Sequence, residues 1–165
     1  MALEAASPAA DAAATGGAAA AAKQRILRLN PPTLFDATPF GYTQIAVDTA
    51  TRVAYFSGLT SMNTAAEVVG TTTAEQFSLA RAALGAALAA VGATTADILK
   101  LTVLVVDYSD ADMPALVEIG KTLGLPASTL IGVPVLALPG LRVELDATVA
   151  VSAEAVERLR KEDGL

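Results

Sequence analysis

The chain has 165 residues, the length of one domain, and carries 11 basic and 17 acidic residues for a net charge of −6. Histidine and cysteine are absent, which excludes disulfides, thiol nucleophiles, a Ser-His-Asp triad, and zinc or copper sites built on imidazole or thiolate. The acidic balance argues against nucleic acid as a partner, because binding phosphates requires several clustered lysines or arginines.

The first 22 residues form a separate segment that is rich in alanine and broken by Pro8, Gly16 and Gly17. The segment has no lysine or arginine, so it lacks the positive charge of a secretory signal or a transit peptide. The sequence contains no run of 18 strongly apolar residues, so no membrane span is predicted. We therefore expect a flexible tail over residues 1–22, one domain over residues 23–165, no membrane contact and a cytoplasmic location.

The first part of the domain predicts three strands. Residues 23–29 predict a short strand that stops at Asn30-Pro31-Pro32, because proline lacks the donor that a sheet needs. Residues 42–47 and 53–57 are rich in β-branched and aromatic residues and predict a hairpin. We expect Gly58 to end the second of these strands.

Residues 74–91 predict the longest helix, because apolar side chains recur at spacings of three and four. Thr73 and Gln76 have the spacing of a capping box, and Gly92 has the position of a left-handed C-terminal cap. Gly85 inside the helix predicts close packing against the sheet. The stripe consists of Phe77, Ala80, Leu84, Leu88 and Val91.

The middle of the domain predicts a strand followed by a helix. Residues 98–106 are apolar on both faces toward their end, which favours a central position in the sheet. Pro114 stands in the first turn of the following helix, and Gly124 ends it.

Two final strands are predicted over residues 129–136 and 141–151, joined by a Pro139-Gly140 turn. Pro134 inside the first of them indicates a bulge or an edge strand. Ser152 is placed to cap a short C-terminal helix.

The order of elements predicts an α+β fold in which two helices pack on one face of a mixed sheet. The opposite face has nothing from the same chain to cover it. An alanine- and valine-rich face left open predicts an oligomer.

Alternation along the last strand places Arg142, Glu144 and Asp146 on one face. Glu144 is a candidate acid or base, because a chain without histidine has few other groups for that role. The alternative is an ordinary solvated or interface carboxylate paired with Arg142.

Several short motifs, taken in order, resemble the RidA (YjgF, L-PSP) family over about residues 28–151. They are Asn30-Pro31-Pro32, Gly41-Tyr42-Thr43-Gln44, Ser57-Gly58, Gln76, Thr102-Val103 through Asp107, Pro126-Ala127 and Val143-Glu144-Leu145. The resemblance implies a chorismate-mutase-like subunit that forms a homotrimer, with small-molecule pockets in the clefts between subunits. We expect no metal and no cofactor. Known members hydrolyse 2-imino and enamino acids to 2-keto acids and ammonia, and others are associated with RNA cleavage.

The resemblance also implies roles for individual residues. Glu144 occupies the position of a glutamate that holds water near the substrate, and Tyr42 that of a pocket tyrosine. Ser57 and Gly58 match a Ser-Gly pair at which a ligand comes close to the backbone. The alternatives are a tyrosine packed at a subunit interface and a glycine that makes a bulge or a tight strand end.

Ser128 departs from the family pattern. The family usually has there an arginine that clamps a substrate carboxylate through two charge-assisted hydrogen bonds. The Ser128-Thr129 pair resembles a branch that lacks this arginine, so both residues are expected to bind a different substrate and standard 2-imino acid deamination is not expected. Arg142 could replace the arginine or pair with Glu144 or Asp146.

Two functions therefore stand at this point. The first is hydrolysis of a small imine, enamine or related carbonyl-derived metabolite. The second is a non-enzymatic ligand-binding or interaction module on the same trimeric scaffold. The acidic charge and the missing histidine disfavour RNA cleavage.

Overall fold

Six strands form one mixed sheet in the computed structural model, which describes residues 25–162. The predicted tail over residues 1–22 and the start of the first strand at Lys23 lie outside the described residues. The strands are β1 (Ile26–Leu29), β2 (Ile45–Asp48), β3 (Val53–Leu59), β4 (Ile98–Val106), β5 (Ala127–Val133) and β6 (Val143–Ala150). The helices are α1 (Thr73–Ala90), α2 (Met113–Thr122) and α3 (Ala153–Glu162).

The strand order is β1-β2-β3-β6-β4-β5. Neighbours are antiparallel except for β4 and β5, which pair in parallel, with α2 in the connection between them as a parallel crossover requires. β4 pairs on both sides, which confirms its predicted central position. β5 lies at the edge of the sheet, and the α+β prediction with a mixed sheet is confirmed.

The predicted pairing of the last two strands through a Pro139-Gly140 turn is wrong. β4 lies between β5 and β6, so residues 134–142 must cross two strand spacings, roughly 9–10 Å. A tight two-residue turn cannot span that distance. Pro134 also lies just beyond β5 and not inside it, because the strand ends at Val133.

One face of the sheet is buried under the helices. Along β6, Val143, Leu145, Ala147 and Val149 are buried while the residues between them are only half-buried, which confirms the predicted alternation. Helices α1 and α3 add to this core, and two side chains of α2 pack against it. Their contributions are Phe77, Ala80, Leu84, Ala87 and Leu88 from α1, Ala155, Val156 and Leu159 from α3, and Leu116 and Ile119 from α2. Within residues 25–162, no helix has the length and apolar character needed to cross a membrane.

The capping box of α1 is Thr72 with Glu75, one residue earlier than predicted. The Glu75 N–H donates to Thr72 Oγ1 at 3.2 Å, and the Thr72 N–H donates to Glu75 Oε2 at 3.1 Å. The glutamate is the stronger partner, because a carboxylate also suits the positive end of the helix dipole. Gln76 is thereby left for another role.

Gln76 is fully buried and ties α1 to the segment that precedes β6. Its amide nitrogen donates to the carbonyl oxygens of Gly70 at 3.0 Å and Gly140 at 2.8 Å, and its oxygen accepts from the Arg142 N–H at 2.7 Å. These bonds satisfy backbone groups of two loops that have no sheet partner. They fix the chain two residues ahead of Glu144.

The other capping predictions agree with the structure, whereas one prediction about α1 does not. Gly92 has a left-handed φ of +67°, and Ser152 Oγ accepts from the Ala155 N–H at 3.1 Å. Gly85, in contrast, is exposed, and a Cβ built on it meets nothing within 4 Å. Its predicted close packing against the sheet is therefore wrong.

Candidate functional site

A cavity of about 600 Å³ contains Glu144 and lies beside the bulged end of β3. Its walls come from the loop before β2, from β3 and the residues after it, from the segment before β6 and from β6 itself. They are Phe35, Phe40, Tyr42, Ser57, Gly58, Thr60, Met62, Ala137, Leu138, Leu141 and Glu144. The structure thus brings together four of the six predicted site residues.

Three aromatic rings form one wall of the cavity. Phe35 meets Phe40 and Tyr42 edge to face, with centroid distances of 6.0 and 6.4 Å. Such edge-to-face pairs are favourable arrangements of aromatic quadrupoles. The buried Gln44 holds the loop in place, because its side-chain nitrogen donates to the Phe35 carbonyl at 3.1 Å and its N–H donates to Asn30 Oδ1 at 2.9 Å.

Ser57 and Gly58 form the floor of the cavity. The strand register shifts between Phe56 and Leu59, so Gly58 lies in a bulge and does not end β3 as expected. The Ser57 hydroxyl donates to the Thr43 carbonyl at 2.7 Å. That hydroxyl can therefore offer a ligand only its acceptor lone pairs.

Gly58 makes room for Glu144. A Cβ on Gly58 would lie 2.5 Å from Cδ and 2.9 Å from Cγ of Glu144, and closer still to Oε1. The side chain of Glu144, from the neighbouring strand β6, thus lies directly over this glycine. The bulge and the absence of a side chain together position Glu144 at the cavity.

The carboxylate of Glu144 is half-buried and electrostatically unsupported. Among the hydrogen bonds between described residues, none reaches it, and no lysine or arginine lines its cavity. Burial, and secondly the charge of Asp146, raise the pKa of Glu144. The pKa of Tyr42 is raised as well, first by burial and then by the negative charge of Glu144. The charge of Glu144 therefore acts on Tyr42 across the cavity.

Arg142 does not pair with either carboxylate on its face. The ion pairs found within residues 25–162 leave it out, and it does not line the Glu144 cavity. The expected pairing of Arg142 with Glu144 or Asp146 is therefore absent from the described structure. In the single subunit, Arg142 also fails to supply the cavity with a cation.

Ser128 and Thr129 lie away from Glu144. Ser128 faces a separate cavity of about 380 Å³ between β4, β5 and α2, with neighbours such as Leu116 and Leu125. Thr129 points to the open face of the sheet, where its hydroxyl contacts the ammonium group of Lys100. One subunit does not unite these two residues with the other four.

Sequence reasoning missed most of the apolar walls. Phe35, Phe40, Met62 and Leu138 line the cavity but fall in segments predicted as loops or turns, whereas Leu141 falls at the start of the last predicted strand and lies just ahead of β6. A signal was present, because the chain has four phenylalanines and three tyrosines, and three of these seven stand between residues 35 and 42. Within the described residues, no group of three or more acidic side chains is arranged to hold a metal ion.

Comparison with known proteins identifies the family. The profile of the family described as Endoribonuclease L-PSP matches residues 36–151. The chain belongs to this family. A member of the conserved Rid protein family from Yersinia pestis, YyfB, is 32% identical, with a TM-score of 0.58 over 77% of this chain and 99% of that one. That protein is itself described as being of unknown function.

More distant L-PSP and Rid structures share the fold. YyfA of Yersinia pestis is 20% identical with a TM-score of 0.67, and Rv2704 of Mycobacterium tuberculosis is 20% identical with a TM-score of 0.60. Each aligns over 76% of this chain and 99% of its own length. None of the functionally curated proteins matches the chain. Membership of the L-PSP family is confirmed, and the chemistry has to be argued from the cavity.

The contact between Gly58 and Glu144 predicts a non-additive pair of substitutions. Gly58→Ala should lower the free energy of unfolding by about 1–3 kcal/mol, because the new methyl group collides with the glutamate. Gly85→Ala, at an open helix position, should raise it by up to about 1 kcal/mol. Urea unfolding of both variants measures the difference.

The same alanine should cost much less in a Glu144→Ala background, where the colliding atoms are gone. An equal cost of Gly58→Ala in both backgrounds would show that Glu144 does not occupy the space above Gly58.

Proposed function

We propose that this protein hydrolyses small imines or enamines, or closely related carbonyl derivatives, in clefts between subunits of a homotrimer. The observation that carries the proposal is the carboxylate of Glu144, held over Gly58 in an aromatic-walled cavity whose described lining contains no lysine or arginine. A partly desolvated carboxylate with a raised pKa is a stronger base than a solvated one. It stands where a water molecule and a small planar substrate would both fit.

The proposed reaction needs one base and no cofactor. A Glu144 oxygen takes a proton from water while the water oxygen bonds to the imine carbon, and the C=N π electrons become a lone pair on nitrogen that takes up a proton. In the resulting carbinolamine, Glu144 passes the hydroxyl proton to nitrogen, the C–N bond breaks as the C=O bond forms, and nitrogen leaves as ammonia or an amine. Water and imine thus give a carbonyl compound and an amine. An enamine enters the same route after protonation at carbon.

Tyr42 and the Ser57-Gly58 segment would orient the ligand. The Tyr42 ring forms part of the wall, and its hydroxyl is protonated at neutral pH, as for any tyrosine; burial and the charge of Glu144 raise its pKa further. Ser57 would accept a hydrogen bond, since its own hydrogen is used on Thr43. A donor from one residue and an acceptor from the other suit a substrate with both an N–H and a lone pair.

Ser128 argues against a carboxylate-bearing substrate. A hydrogen bond to a charged group contributes about 1.5–3 kcal/mol, against about 1 kcal/mol for a neutral one, and serine offers a single neutral hydroxyl. In one subunit Ser128 and Thr129 are separated from Glu144. We propose that they help to bind substrate from a neighbouring subunit, which is the only way they could join the same cleft.

The surface supports the assembly of subunits that the trimer proposal requires. The sheet face opposite the helices carries Tyr55, which is 55% exposed, and further large apolar side chains are exposed around β5 and α2. A lone subunit rarely leaves so many apolar groups in water. They are Met113, Val117, Leu125, Ile131 and Val135.

A non-enzymatic ligand-binding module is the second candidate. It is favoured by the mainly apolar walls and by the fact that Glu144 is the only carboxylate among the described lining residues. RNA cleavage is disfavoured, because the cavity offers no cation for a phosphate.

The hydrolase proposal predicts activity toward an imine that lacks a carboxylate. A flavin amine oxidase acting on 2-phenylethylamine generates such an imine in situ, and semicarbazide trapping follows its loss. Wild-type protein should accelerate the loss, and Glu144→Gln should lower the rate by about 10²-fold or more, because amide cannot take the proton. The same assay with 2-iminopropionate, made by an amino-acid oxidase, should show a weaker effect.

Glu157→Gln is the matched control, since it removes the same charge from the exposed outer side of α3. It should behave as wild type. If wild type accelerates the loss of neither imine, the hydrolase proposal fails and the binding module remains.

The trimer proposal predicts a sedimentation mass near three times the 16.6 kDa of one chain. Tyr55→Asp should reduce that mass, because it places a charge in the centre of the open sheet face. Leu79→Asp, on the exposed side of α1, should leave it unchanged. A monomer mass for the wild-type chain would contradict the proposal.

A further inference from the structure

The described residues that line the Glu144 cavity carry only negative charge. Its lining contains one carboxylate and no lysine or arginine. An adjoining cavity contains Arg28 and has the walls Tyr42 and Ser57 in common with this one. Among the described residues that one subunit supplies to the cavity, a negatively charged ligand would therefore meet repulsion from Glu144 and no compensating cation.

The described residues of one subunit give the Glu144 carboxylate no hydrogen bond and no ion pair. No described residue donates a hydrogen bond to Glu144, and burial has already removed part of its water shell. A half-buried charge in this condition gains from an opposite charge, because the cost of desolvation is then offset by attraction at short range. A cationic ligand supplies that charge, whereas a neutral ligand does not.

The aromatic wall favours the same ligand. Phe40 and Tyr42 keep 57% and 41% of their surfaces exposed, so both rings remain open to contact. Ring faces carry partial negative charge and attract ammonium groups within about 6 Å of the centroid. Met62, Leu138 and Leu141 complete an apolar surface for the remainder of the ligand.

We propose that the Glu144 cavity selects a positively charged amine or iminium compound that bears an apolar group and no carboxylate. The inference rests on the proposed function in placing the ligand at this cavity, and it adds the charge class of that ligand. If the protein is a hydrolase, its substrate enters as the protonated iminium of an apolar amine. If it is a binding module, its ligand is an apolar ammonium compound.

Three probes of nearly the same shape and different charge test this selection. They are choline, 3,3-dimethylbutan-1-ol and 3,3-dimethylbutanoate, with binding measured by calorimetry and by saturation-transfer NMR on the full-length protein. Choline should bind at least about tenfold more tightly than the alcohol, which corresponds to about 1.4 kcal/mol. The butanoate should bind more weakly than the alcohol.

Glu144→Gln should abolish the preference for choline while the alcohol still binds, because the substitution keeps the shape of the side chain and removes its charge. Glu157→Gln removes one negative charge as well and should keep the preference. The inference is overturned if the alcohol matches choline, if the butanoate binds most tightly, if the preference survives Glu144→Gln, or if none of the probes binds.

These outcomes are separable from those of the imine assay. Choline preference without imine hydrolysis would retain the cation site and reject the hydrolase. Imine hydrolysis without choline preference would reject the cation site alone.

Discussion

Helices α1, α2 and α3 cover one face of the sheet, so side chains that alternate onto the other face must find partners in loops, in a ligand or in another subunit. Alternation along β6 places Val143 and Leu145 in the core and Glu144 between them on the open face. A carboxylate at that position remains half-buried without a salt bridge. The half-buried, unpaired charge of Glu144 is therefore a direct consequence of helices covering only one face of the sheet.

Two further features position Glu144 at the cavity. Gln76 holds the chain at Gly140 and Arg142, which fixes the start of β6 and the apolar residues before it. The bulge at Gly58 leaves space for the glutamate where any side chain would collide with it. Gln76 has no contact with the ligand in the proposed mechanism and Gly58 lies against it, yet both decide where the carboxylate lies. Loss of either would change the site without changing its chemistry.

Much of the fold could be predicted from the sequence, because strand alternation, the apolar stripe of α1 and the caps at Gly92 and Ser152 are local signals. The pairing of β5 and β6 could not, since a Pro-Gly turn suggests a hairpin and the insertion of β4 between the strands is a long-range event. The capping box lies one residue earlier than the sequence indicated, because the Gln76 side chain bonds to backbone groups that are distant in sequence. For the site, the family motifs indicated Glu144, Tyr42 and Ser57-Gly58, whereas the aromatic wall depends on a loop fold with no periodic pattern.

The central claim is that Glu144 is a desolvated carboxylate poised above Gly58. Titration of the ¹³C-labelled glutamate side chains by NMR, with Glu144 assigned from the Glu144→Gln spectrum, tests it most directly. The account predicts a pKa above the ordinary value of glutamate, so that the folded protein retains this proton to higher pH and its free energy of unfolding falls as pH rises through that interval. A pKa of Glu144 at or below the ordinary value would show that the carboxylate is solvated or paired, and would contradict the account.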